Sequence, residues 1–122
     1  MIGNSATVLP LTDYRAARRT LYFSRGELNQ LLGLYSRNVA RGVWRDYAID
    51  HRHGQALFSV FRHTHESAAY TIVKSLGPAG QAAGEPLFLV LSGRQRLCTG
   101  KTLAEALDYF RAKLSVVPGA TR

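Results

Sequence analysis

Phe23 to Ile49 reads FSRGELNQLLGLYSRNVARGVWRDYAI, and this stretch decides the fold because it specifies a helix, its stop and the strand that follows. Ser24 followed three residues later by Glu27 has the form of a capping box, in which the Ser hydroxyl accepts the amide of Glu27 and the carboxylate returns to the Ser amide. Phe23 before the cap and Leu28 after it are placed for a hydrophobic staple. Leu28, Leu31, Leu32, Tyr35 and Val39 recur at the spacing of one helical face, which predicts that this face is buried. Arg37 and Arg41 suit the last turn through the helix dipole, and Gly42 suits the left-handed position just beyond it. The predicted helix runs from Arg25 to Arg41.

Working outward, Trp44 to His51 reads as a strand with Arg45, Tyr47 and Ile49 on one side and Trp44, Asp46, Ala48 and Asp50 on the other. Tyr47 and Ile49 are expected to face the core. A turn at His51–Gly54 leads into a central strand, Gln55 to Arg62, and a second turn leads into a strand from Ala68 to Ser75. GPAGQAAG, Gly77 to Gly84, is a loop. Pro86 to Ser92 is an apolar strand that turns at Gly93 into a return strand, Gln95 to Cys98. Thr102 and Glu105 form a second capping box, opening a helix whose apolar stripe is Leu103, Ala106, Leu107, Phe110 and Leu114. Residues 1–19 read as a mobile tail, Thr20 to Phe23 as a short edge strand, and residues 116–122 as a frayed end. A single domain, 20–115, is left between them. Its fold class is α+β: a two-layer sandwich in which an antiparallel, four- to five-stranded meander carries an N-terminal and a C-terminal helix on one face.

At 122 residues the chain fits one domain with one core. It has no long uncharged apolar run and no basic stretch leading into an apolar one at its start, so a soluble cytoplasmic protein with no membrane partner is expected. Cys98 is the only cysteine, which excludes an internal disulfide. The net charge of +8 draws a protein toward phosphate backbones and anionic surfaces. The cations are mostly arginines scattered along the chain.

Motifs with catalytic or metal-binding potential fail on spacing. Gly100-Lys101-Thr102 has the end of a phosphate loop, but Gln95 stands where its first glycine belongs. The pairs His51, His53 and His63, His65 lie at opposite ends of one strand, roughly 26 Å apart at about 3.3 Å per residue, too far to share one ion. Asp46 and Asp50 share a strand face about 13 Å apart, beyond an acid–base pair. Cys98 has no histidine nearby in sequence and reads as a small packed thiol. The expectation is no enzyme, no catalytic residue, no metal, no cofactor and no small-molecule substrate.

GVWRDYAID, then ALFSVFR and Tyr70, Ile72 and Lys74, together with Glu27, Leu28, Tyr35, Gly42, Gly93 and Leu97, resemble the alphaproteobacterial family named domain of unknown function 2794. The resemblance covers Phe23 to Phe110 and leaves the first 19 residues outside. It implies a cytoplasmic bacterial protein and carries over no activity, ligand or catalytic residue.

A binding surface remains. Trp44, with Leu57 or Phe61 of the neighbouring strand, is expected on the sheet face away from the helices, rimmed by Arg37, Arg41, Arg45, Arg94 and Arg96. Aromatics on an open basic sheet stack and track single-stranded nucleic acid, which makes a nucleic-acid-binding module the first reading. The alternative is a protein-interaction module that homodimerises, or binds a protein partner, through its exposed sheet face.

Overall fold

The computed structural model of the chain describes residues 21–76 and 85–115. Helix α1 spans Arg25–Ala40, strands β1 to β5 span Asp46–Arg52, Gln55–Phe61, Tyr70–Ser75, Leu87–Ser92 and Gln95–Gly100, and helix α2 spans Leu103–Ser115. The strands form one antiparallel sheet in sequence order, a five-stranded meander. Gly54 and Gly93, at φ 68° and 62°, provide the left-handed backbone at the β1–β2 and β4–β5 turns. The predicted α+β sandwich is the observed one. The expected tails, the 77–84 loop and the Leu114 side chain fall outside the described residues.

The first capping box forms as the sequence predicts. Ser24 Oγ accepts the Glu27 amide at 3.1 Å, and Glu27 Oε1 accepts the Ser24 amide at 2.7 Å. The same Oε1 accepts the Lys74 ammonium at 2.8 Å, and Lys74 Nζ also donates to the Tyr22 carbonyl at 2.9 Å. One lysine of β3 thus fastens the first turn of α1 to the sheet. Helix α1 ends on Gly42, φ 76°, and the amides of Val43 and Trp44 both donate to the Asn38 carbonyl. Those bonds satisfy a C-terminal carbonyl and steer the chain into the sheet.

The second box is offset by one residue from the expected one. Thr102 Oγ1 accepts the Glu105 amide at 3.1 Å, but Glu105 Oε1 accepts the amide of Lys101, at 2.8 Å, rather than that of Thr102. Gly100 lies directly beneath this turn. A Cβ there would sit 2.8 Å from Ala106 N and from Glu105 Cβ, so only glycine lets β5 run this close under α2.

The core fills the space between both helices and one sheet face: Leu31 and Leu34 of α1, Phe58, Val60, Ile72, Phe88 and Val90 of the sheet, and Leu103, Ala106 and Phe110 of α2. Four expectations are corrected here. The buried face of α1 is Leu31, Leu34 and Asn38, with Leu28, Leu32 and Tyr35 at its flank, and Val39 is 40% exposed. The stripe is rotated because Asn38, polar in sequence, satisfies its Nδ2 on the Leu34 carbonyl and can therefore be buried. Trp44 is not on the far face; it is 3% exposed and packs edge-on against Phe110, with centroids 5.6 Å apart, and beside Tyr70. Strand alternation does not apply to it, because β1 begins only at Asp46. Tyr47 and Ile49 do lie on the core side, Tyr47 stacked on Phe58, but they are 43% and 40% exposed because β1 is an edge strand. Finally, Leu21 to Phe23 add no strand, and Phe23 enters the core instead.

Candidate functional site

Helices α1 and α2 lie side by side over the sheet and leave a groove of about 590 Å³ between them. Its floor is apolar, with Leu34, Leu107 and Phe110, and its walls carry Asn29, Gln30 and Asn38 together with Arg37, Arg41 and Arg111. All three arginines are exposed. The helix period explains the convergence: Arg41, the C-cap of α1, follows Arg37 by four residues, and Arg111 follows Phe110, a buried residue of α2. Arg37 makes no ion pair among the described residues. Arg111 approaches Asp108 at 3.5 Å in an exposed pair, an arrangement that holds a side chain only weakly. Gly33 lies beneath Arg37: a Cβ there would be 3.4 Å from Arg37 Nη1. Asn38, 2% exposed, keeps Oδ1 without a hydrogen-bond partner among the described residues, as does Trp44 Nε1.

The arginines and aromatics expected on one surface are divided between two. Arg37 and Arg41 line the interhelical groove. Phe61 is half-buried on the opposite side of the sheet, where Arg96 of β5 also lies, exposed. Arg94 is in the β4–β5 turn, and exposed Arg45 precedes β1, its amide donating to the Phe61 carbonyl at 2.7 Å and its carbonyl accepting the Tyr35 hydroxyl at 2.8 Å. Arg111 is a groove residue that sequence reasoning missed. The available signal was that an arginine next to Phe110 of the apolar helical stripe borders whatever the stripe packs on.

The far face of the sheet is apolar at its centre. Leu57, Phe61, Leu87, Leu89 and Leu91 are half-buried there and Val73 is buried, while Ser59 and Thr71 share a hydrogen bond at 3.2 Å. Of the titratable groups, burial pushes the Cys98 thiol up, against an opposing backbone hydrogen bond from Val90, and the thiol donates to the Ala106 carbonyl at 3.3 Å. A thiol held neutral in this way is a poor nucleophile. All four histidines are exposed, and no group of three metal-ligating side chains occurs among the described residues.

The fold and the groove define a small helix–meander–helix α+β domain with a basic cleft between its helices. The chain belongs to the family described as protein of unknown function (DUF2794), whose model matches residues 21–104, from the approach to α1 into the first turn of α2. No curated protein and no solved structure matches the chain. Among the described residues no helix is long and apolar enough to cross a membrane.

Proposed function

We propose that the chain is a nucleic-acid-binding module whose phosphate contacts are made in the interhelical groove. The observation that carries this reading is the convergence of Arg37, Arg41 and Arg111, from two helices, on one cleft of a chain with net charge +8. Guanidinium groups present planar, permanently charged donor forks that match phosphate oxygens, and the apolar floor beneath them accepts a base or sugar. With Trp44 in the core, stacking on the open sheet is withdrawn as the mode of binding, and the nucleic acid is assigned to the helical side.

Binding of a mixed-sequence single-stranded oligonucleotide should fall steeply between about 50 and 200 mM salt. In Arg37→Ala with Arg111→Ala, the slope of log affinity against log salt should drop by about 1.4, roughly 0.7 for each single-strand phosphate that is no longer neutralised. The thermal transition should stay in place, because exposed arginines contribute little to stability. Absence of binding at about 50 mM salt, or a slope unchanged in the double variant, overturns the proposal.

A further inference from the structure

The far face of the sheet, on the opposite side of the sandwich from the groove, has its own chemistry. Its outward residues on the three central strands are Gln55, Leu57, Ser59 and Phe61 of β2, Thr71, Val73 and Ser75 of β3, and Leu87, Leu89 and Leu91 of β4, without a charge among them. A phosphate backbone finds no cation there. Charge is confined to the two edges: β1 turns Asp46, Asp50 and Arg52 outward, Arg52 lying 3.8 Å from Asp50 and leaving this edge net negative, while Arg96 points outward from β5 beside Arg94 of the turn.

We infer that this face is the contact between two copies of the chain, related by a two-fold axis parallel to the strands. Such an axis lays β1 of each copy over β5 of the other. The register then dictates what meets. Ala48, Ser59, Thr71, Leu91 and Arg96 form one row across the sheet, so Arg96 arrives level with Ala48 of the second copy, flanked by that copy's Asp46 and Asp50, one pleat repeat of about 6.7 Å to either side. With packed sheets about 10 Å apart, an arginine side chain reaches either carboxylate. The contact is made twice by symmetry. A two-fold axis perpendicular to the strands would instead set β5 on β5 and crowd Arg94 and Arg96 of both copies along one edge. Between the charged edges the same axis sets Leu57 on Leu89 of the second copy and Leu91 on its Ser59, with buried Val73 beneath the centre of the contact, and the Ser59 and Thr71 hydroxyls are already satisfied by each other. Five strands of six to seven residues span roughly 24 Å by 20 Å, about 480 Å² in projection, which places the contact below the ~800 Å² per partner of a standard interface and among the weaker dimers.

Sedimentation of the full chain at about 1 to 100 μM tests the inference. A dimer should be present at the upper concentrations and absent in Leu89→Lys, which puts a charge at the centre of the contact. Arg96→Asp should weaken the dimer about tenfold or more, and Arg96→Asp combined with Asp46→Arg and Asp50→Arg should restore it, a reciprocal rescue that a merely structural role for Arg96 would not give. Circular dichroism checks that each variant folds, and should Leu89→Lys fail to fold, the exposed charge-reversal set carries the test alone. A monomer at every concentration overturns the inference, whether the face is covered by a foreign protein or by another part of the chain. So does a dimer indifferent to Arg96→Asp. None of these substitutions touches the groove, so this inference and the nucleic-acid reading stand or fall separately.

Discussion

The two faces of the sheet are built from the same strands and nearly the same residue types, yet they end in different states. On β2, Phe58 and Val60 point to the helices and are 0% exposed, while their neighbours Leu57 and Phe61 point away and remain half-buried. On β4 the same contrast separates Phe88 and Val90 from Leu89 and Leu91. Hydrophobicity along a strand therefore does not say which side is core. The side is decided by where two amphipathic helices land, and α1 is fastened on its side by the capping box and the Glu27–Lys74 bridge. The opposite side is covered less completely, with Val73 buried and the leucines and Phe61 around it half-buried, and apolar surface of this kind is where contacts form.

The largest expected effect sets the two faces against each other within one strand. Phe58→Ala should destabilise the fold by roughly 3 to 5 kcal/mol, since it opens a cavity in the core beneath the helix layer. Leu57→Ala, one residue away, should cost well under about 2 kcal/mol in the monomer, because less of its surface leaves water. Urea denaturation of dilute protein measures both, and equal losses would mean the far face is as much a core as the near one.

An intermediate effect concerns the bridge that holds α1 in place. In Glu27, burial works to raise the carboxyl, but the hydrogen bond and charge of Lys74 and the bonds with Ser24 outweigh it and leave the group below its ordinary value. A carboxyl depressed in the folded state contributes stability that is present above its unfolded value, near 4.5, and is lost as pH falls through the folded one. Acid denaturation below about pH 4.5 should thus include this group. Lys74→Met should destabilise the protein by about 1 to 3 kcal/mol at neutral pH, because Glu27 is left half-buried without its cation, and should flatten the acid limb of the stability profile. A profile unchanged in Lys74→Met would show that the bridge does not fasten the helix layer.

The smallest effect lies in the groove wall. Gly33 sits inside α1, where glycine is less favourable than alanine by up to about 1 kcal/mol, and among the described residues a Cβ there meets only Arg37 Nη1, at 3.4 Å. Gly33→Ala should raise the melting temperature slightly while pressing on the Arg37 guanidinium. A fall in stability would mean that the groove side of α1 is packed more tightly than the covered-versus-open contrast implies.

Much of the fold was legible in the chain because it was written in local signals. Ser24 with Glu27, Gly42, Gly54 and Gly93 act through bonds and dihedrals within a few residues, and each appears where the pattern placed it. The strand order follows from short connections between antiparallel neighbours. The site was less legible. Arg37 and Arg41 were singled out, but their partner in space, Arg111, comes from the other end of the chain, and Trp44 was assigned by alternation to a face it never reaches.

By itself, then, the sequence determined the two helices, the strands of the meander and how consecutive strands pair, since caps, turns and periodicity depend only on near neighbours; the strand it suggested before α1 does not form over Leu21 to Phe23. Only the tertiary structure decided the rotation of α1 that buries Asn38 and exposes Val39, the turn of Trp44 into the core, and the separation of the arginines between a helical groove and a sheet edge. Those outcomes depend on contacts between segments far apart in the chain, where the packing of Phe110 against Trp44, or of Lys74 against Glu27, outweighs what either residue prefers alone.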